Sequence, residues 1–343
     1  MRRFIGVDLH KSSFSVCYYR GKEDYDFKVY KVCGKGLSDF GRSLKASDEL
    51  AVESTGNTGF FARAIEGRVK RIRVVNPVQF KVISQSVKKT DENDALTIAK
   101  FLSRDLIPEV RMRDKESSQL ASLIGTRDKL VKLRTALKNK VHNILSANGI
   151  VSRSMLLNSR KGLEKVLGYP LDASYKFELG LIVDQIKSLN DAIEKIDEEL
   201  KNRGQKLDGH QGLTSIKGIG NTGATILLNT IGDVNDFKDE KALASYLGIV
   251  PRVSISNETV HRGRITKMGN KIARTVLVQS TLIAIRYSPY LNAFYQKLKA
   301  KKGSGKAIIA TARKLLGIVY NTLKNKWVFE DFTNYKLAPQ RAL

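Results

Sequence analysis

Between residues 175 and 203, Leu179, Ile182, Ile186, Leu189, Ile193, Ile196 and Leu200 recur at steps that alternate between three and four, with Asp, Glu and Lys between them. Only an α-helix returns side chains to one face at that interval, and so narrow an apolar stripe needs another helix to cover it. A partner lies upstream. Over 114–148, Leu120, Leu123, Leu130, Leu133, Leu137, Val141 and Ile144 form one stripe, while Arg127, Lys129, Lys132, Arg134, Lys138 and Lys140 occupy much of the remaining surface. The two stretches are expected to pair as an antiparallel hairpin, a basic helical coiled-coil connector over 111–208 that also offers a dimerisation element. The excess of cations on the first helix reads as a phosphate-facing side.

The connector divides two regions of different pattern. In residues 1–110, "FIGVDL", "SFSVCYYR", "DFKVYKV", "ELAVEST" and "RIRVVNP" read as strands, with helices at "FFARAIEGR" and "DENDALTIAKFLSR". That alternation implies an α/β domain on a mixed sheet. Residues 209–343, after the loop-like joint "RGQKLDGHQG", read as mainly α up to about 326, with a short packed tail at "WVFEDFTNYK". Within them "LTSIKGIGNTGATILLNTIG" fits a helix-hairpin-helix. Gly218 and Gly220 form its turn, Ile216 and Ile219 anchor it, and Lys217 stands beside it. Such a turn offers backbone N–H groups to a phosphate without reading sequence. The Gly-Ser-Gly-Lys at 303–306 fails the P-loop spacing and reads as a loop before the last basic helix.

Charge narrows the partner. Lys and Arg number 60 against 34 Asp and Glu, a net +26, where an ordinary small domain carries roughly 2–8. A polyanion is implied, and nucleic acid is the commonest. Cys17 and Cys33 read as small buried apolar residues rather than a disulfide, and the four histidines show no metal-ligand spacing. No apolar run approaches a membrane span and the N-terminus lacks a signal-peptide core, so a cytoplasmic protein is expected.

In so basic a chain the acids at strand and helix ends stand out. Asp8 closes "FIGVDL", Glu53 follows "LAV", and Asp91 and Asp94 lie one turn apart at a helix start behind Lys88 and Lys89. Taken singly, Asp91 and Asp94 suit a helix N-terminus through its dipole. Taken together, four carboxylates can converge only around something positive, and Mg²⁺ with its oxygen ligands and bridging role to phosphates fits. Lys88 and Lys89 would hold the phosphate backbone beside them. Further on, "VSISNETVHRGRITKMGNK" sets serines among Arg262, Arg264, Lys267 and Lys271, where a serine could attack a phosphodiester while the cations stabilise the developing charge.

These motifs resemble, over nearly the whole chain, the DEDD transposases of insertion sequences, the group that includes the pilin-gene inverting recombinase. "GVDLHK", "VESTGNTG" and "VKKTDENDALTIA" are similar to its three acidic motifs; "IKGIGNTGATILLNTIGDVNDFKDEKALASYLGIVPR", "GRITKMGNKIAR" and "GKAIIATARKLL" are similar to its C-terminal region. The resemblance implies an RNase H/RuvC-like α/β domain, a coiled-coil connector and a transposase domain bearing a serine. It would make Asp8, Glu53, Asp91 and Asp94 a metal-binding tetrad. Aligned on Pro251 and "RGRITKMGN", the nucleophile becomes Ser256, with Ser254 as the alternative, and Asn257 stands where the family usually has glycine. It further implies Mg²⁺-dependent strand exchange through a phosphoserine, guided by a structured element-encoded RNA that pairs with donor and target DNA, by a homodimer that pairs into a tetramer. Two rivals stand beside it: a RuvC-like junction endonuclease that uses water, and a non-enzymatic basic nucleic-acid-binding protein whose acids are helix caps.

Overall fold

The computed structural model describes residues 2–83, 90–256 and 259–330; of Val82, Ile83, Ile255, Ser256, Val260 and Arg262 it describes the backbone alone. Lys88, Lys89 and Asn257 lie outside the described residues. The chain forms two compact units, Met1–Glu116 and Ser117–Leu343.

The first unit opens with three strands, β1 (Phe4–Leu9), β2 (Ser13–Gly21) and β3 (Asp24–Lys31), then α1 (Gly34–Ser43), β4 (Glu49–Glu53), α2 (Thr58–Ile65), β5 (Arg71–Val75), α3 (Pro77–Ile83) and α4 (Asp91–Ser103). The five strands make one sheet in the order β3-β2-β1-β4-β5. β1–β2 and β2–β3 pair antiparallel, whereas β1–β4 and β4–β5 pair parallel. The mixed α/β domain expected from the alternating pattern is present. Its central strands β1 and β4 are apolar on both faces because helices cover both. On one face Phe14, Phe40 and Phe61 are fully buried with their rings edge-on or stacked. Cys17 is buried as expected, and its thiol is pushed up to about 12 by burial. Cys33 is a correction: it is exposed and precedes α1 instead of lying in a strand core.

In the second unit α5 (Lys115–Ala147) and α7 (Ala173–Gly204) are the two long helices, with α6 (Arg160–Leu167) between them. They run antiparallel, tied by Arg127 Nε to Asp197 Oδ1 at 2.5 Å, Arg134 Nη1 to Asn190 Oδ1 at 2.9 Å and Lys140 Nζ to Glu178 Oε1 at 3.0 Å. The α7 stripe is used within the chain. Leu179, Val183 and Ile186 pack with Val141, Ile144 and Leu145, while Leu200 joins Leu120, Ile124, Leu213 and Leu227 in a core shared with helices further along the chain. The two long helices thus pack on each other and on α6 along one part and on helices further along the chain at the other. The expected phosphate-facing side of α5 is also largely engaged: Lys132 pairs with Asp128 and Lys138 Nζ reaches Asn158 Oδ1 at 2.8 Å, in addition to the ties above.

The remainder is α8 (His210–Ser215), α9 (Asn221–Ile231), α10 (Glu240–Tyr246), β6 (Pro251–Ser256), β7 (Thr259–Ile265), α11 (Lys271–Tyr287), α12 (Pro289–Lys302) and α13 (Ser304–Asn325). Helices predominate as expected, but β6 and β7 form an antiparallel hairpin that the sequence pattern did not announce. The Gly-Ser-Gly-Lys segment is not a loop. Only Gly303, at φ +76°, breaks the helix, and Ser304 already opens α13. Of the tail, the Phe329 amide bonds Ser215 Oγ at 2.8 Å and its side chain packs on the core; the residues from 331 lie outside the described range. Among the described residues, no helix is long and apolar enough to cross a membrane.

Candidate active site

β1 and β4 are parallel neighbours with Val7 opposite Val52. One residue further along each, Asp8 and Glu53 sit side by side at the same strand ends, the usual location of ligand sites on parallel strands. Strand alternation puts Gly6 on the same face as Asp8. A Cβ at Gly6 would fall 2.0 Å from the Ala95 carbonyl oxygen and 2.6 Å from the Ala99 amide nitrogen, so α4 rests directly on the β1 backbone. Cys17, opposite Gly6 on β2, packs with Ala95 and Ala99 and completes this small-residue seat. Thr90 begins α4, its Oγ1 accepting from the Asn93 amide at 3.2 Å, and puts Asp91 and Asp94 in the first turn. The seat fixes where that turn lies, which is over Asp8.

His10 joins the ends. Its Nε2 is 3.1 Å from Asp8 Oδ2 and 3.3 Å from Asp91 Oδ1, and one ligand atom from each of the three residues lies within 4.8 Å of the others. Burial pushes the Asp8 carboxyl up to about 6; His10 opposes this, while Asp91, Asp94 and Glu53 add to it. Glu53 is raised by burial and by Asp94, again against His10. At His10 burial acts downward, but Asp8 and Asp91 outweigh it and hold the imidazolium above its ordinary value. All four acids thus share one electrostatic neighbourhood, with His10 bridging Asp8 and Asp91. The histidines show no metal-ligand spacing in the sequence, yet in space His10 stands with Asp8 and Asp91 as a candidate ligand. Its partners come from a neighbouring strand position and from a helix far along the chain, so no local spacing reveals it.

The loop after β4 ties the strand ends together. Asn57 Nδ2 donates to the His10 carbonyl at 2.8 Å, and Thr58 Oγ1 donates to the Glu53 carbonyl at 2.7 Å while accepting from the Thr55 amide at 2.8 Å. The sequence "ESTGNTG" contains these residues, but only the closed loop shows which backbone groups they hold.

Known proteins resemble the chain in both of its halves. A sequence-family model described as a transposase matches residues 5–149, and a second, described as the transposase IS116/IS110/IS902 family, matches residues 210–296. The chain is 27% identical to the transposase for insertion sequence element IS1111A of Coxiella burnetii, over 94% of this chain and 89% of that protein. It is 24% identical to the pilin gene-inverting protein of Moraxella bovis, over 96% and 98%. Residues 5–149 and 210–296 are thus transposase domains of the IS110/IS116 kind. The reading as a non-enzymatic binding protein is thereby overturned.

In this transposase Ser256 ends β6 and pairs in register with Thr259, and Ser254 pairs with His261. Two residues apart, the serines occupy positions of one strand face near the tip of the hairpin. Arg264 is exposed near the hairpin base, and Lys267 follows it at φ +57°. Gly218 does require its glycine, at φ +104°, but for packing. A Cβ there would meet the Ser280 carbonyl oxygen at 2.5 Å, so the turn is seated on α11. Lys217 is exposed, Ile216 and Ile219 are buried as expected, and Gly220 caps α9.

Proposed function

We propose that this transposase cleaves and rejoins DNA strands at the cluster of Asp8, Glu53, Asp91 and Asp94, with a serine of the β6–β7 hairpin as the nucleophile. The observation that carries the reading is geometric: one ligand atom each of Asp8, His10 and Asp91 lies within 4.8 Å of the others, and Glu53 ends the strand beside Asp8, whose carboxyl is raised. Burial is the first cause of that rise, and the fields of Asp91, Asp94 and Glu53 add to it against His10, so a divalent cation at the strand ends would relieve it. The oxygen donors of Asp8, Glu53, Asp91 and Asp94 suit Mg²⁺, and His10 offers a nitrogen that Mn²⁺ accepts more readily. A bound divalent ion would supply Lewis-acid stabilisation of the charge developing on the phosphate. His10, whose pKa the two carboxylates raise, bridges Asp8 and Asp91.

At the hairpin, Ser256 Oγ bonds to phosphorus as the bond to the leaving sugar oxygen breaks; the serine proton passes to a base and the sugar oxygen leaves as a hydroxyl. A freed hydroxyl then attacks the phosphoserine, which restores the serine and joins the new strand. The helix-hairpin-helix reading of α8–α9 would have Lys217 and the first-turn amides of α9 contact the DNA backbone, and Arg262, Arg264 and Lys267 would do the same beside the serine. The mixed sheet with acids at adjacent strand ends supports an RNase H/RuvC-like domain, and the antiparallel α5–α7 pair supports a coiled-coil connector. A structured guide RNA and a homodimer, paired into a tetramer on DNA, complete the reading and suit the net +26.

The test is a covalent trap. Wild-type protein with Mg²⁺ and its element-end DNA is expected to yield a protein–DNA adduct that Ser256→Ala and Asp8→Ala both lose. A Ser256→Ala protein that forms the adduct through Ser254 would move the nucleophile two residues. The junction-endonuclease reading draws support from the acid cluster lying wholly within the first unit; it predicts cleavage with no adduct in any variant. Sequencing the RNA that co-purifies from cells carrying the native flanking DNA tests the guide.

A further inference from the structure

Between the base of the β6–β7 hairpin and the corner where α12 meets α13 lies an open cleft of about 900 Å³. Arg264, Lys267, Lys301, Lys302, Lys306 and Arg313 line it, over a floor that includes Ile249, Ile265 and Ile309. Among the described residues none of the six cations is in an ion pair, in contrast to the engaged cations of α5. Two of them have a local reason to be there, since Lys301 and Lys302 end α12 and complement its dipole. That reason fails for Lys306 and Arg313. They sit in the first turn and middle of α13, where the dipole favours anions or nothing. Gly305 adds open space at this helix start, since a Cβ there would meet nothing within 4 Å.

We infer that this cleft grips the backbone of duplex DNA beside the point where the hairpin serine acts. The inference rests on the reading that the serine works on DNA. Three features select the occupant. Unpaired cations on three elements, without a carboxylate in the lining, demand a polyanion rather than a single phosphate. Among the described residues the lining side chains are cations and apolar groups only, which suits contact with a phosphate backbone rather than with base edges. The hairpin also sets the spacing. Pro251 borders the cleft and Ser256 ends the same strand, five residues on at about 3.4 Å each, so the cleft lies about 17 Å from the serine backbone. At about 3.4 Å per base pair that is roughly five base pairs of the same duplex.

The experiment measures the salt dependence of binding to duplex DNA of random sequence, using full-length protein carrying Lys302→Ala, Lys306→Ala and Arg313→Ala together. All three side chains are exposed, so an unchanged melting temperature is expected and is checked first. Removing three phosphate contacts lowers the slope of log affinity against log salt by about 2.7. Wild type then loses about 40-fold more affinity than the variant between about 50 and about 200 mM salt. The Lys→Arg and Arg→Lys versions of the same three positions are expected to keep the wild-type slope. An unchanged slope overturns the inference. So does an equal loss in a control with Lys187, Lys195 and Lys201 of α7 replaced by Ala, or a slope that falls for the element's RNA but not for DNA. The serine reading fails separately, by adduct formation when Ser254 and Ser256 are both replaced by Ala, which leaves the binding slope untouched.

Discussion

Asp8 is the one buried carboxylate of the four, and its environment makes a signed prediction. Its folded-state pKa, about 6, stands above the ordinary 3.8. An acid raised in this way contributes stability that is fully present below the unfolded value and is lost as pH rises through the folded one. Metal-free wild type is therefore expected to lose melting temperature between pH ~4 and pH ~7 relative to Asp8→Asn, which cannot ionise. Adding Mg²⁺ or Mn²⁺ near neutral pH should raise the wild type and leave Asp8→Asn where it was. Equal melting curves for the two proteins across that range would remove the case for a cation-demanding cluster. The sequence makes the four acids visible because each ends an apolar strand or begins a helix. It leaves His10, Asn57 and Thr58 obscure, because their partners are carboxylates and backbone carbonyls supplied by other elements.

Among the elements, α4 decides whether those acids meet. Its register over the sheet comes from Gly6, Cys17, Ala95 and Ala99, and its first turn from Thr90. Replacing Thr90 by Ala removes an N-cap and is expected to cost about 1 kcal/mol. A urea titration should show this as a lower midpoint at unchanged slope, with weaker divalent-metal binding because Asp91 lies next to the lost cap. Gly6→Ala is expected to cost more, toward the upper end of the roughly 1–3 kcal/mol of overpacking, because the atoms in the way are backbone. It should also weaken metal binding more than its stability loss alone explains, by moving α4 off β1. The strands of this sheet were legible as β-rich apolar runs, and α4 as a capped helix. The β6–β7 hairpin was not, since Arg252, Val253 and Ser254 are all exposed and no burial alternation marks the strand. A two-stranded ribbon with little core behind it leaves a polar sequence that reads as loop.

For the whole molecule, the most regular pattern in the sequence had two readings, packing within the chain or between chains, and the structure uses it for the first. Leu179, Ile186, Ile193 and Leu200 are buried inside the second unit, so a dimer built on α7 needs a different face. That face carries Phe177 and Leu181, one turn apart and 71% and 56% exposed. Apolar side chains at that spacing on an otherwise charged helix are a partial stripe left without cover. If self-association runs along α7, Phe177→Glu with Leu181→Glu should yield a monomer by light scattering at concentrations where wild type is dimeric. The melting temperature of the variant monomer should match wild type diluted to its monomeric state, because neither side chain belongs to the internal core. Ile186→Glu supplies the contrast: it is expected to unfold the second unit instead of simply splitting dimers, because Ile186 packs among Val141, Leu145 and Leu179. A Phe177→Glu/Leu181→Glu protein that stays dimeric would place the dimer contact off α7 altogether.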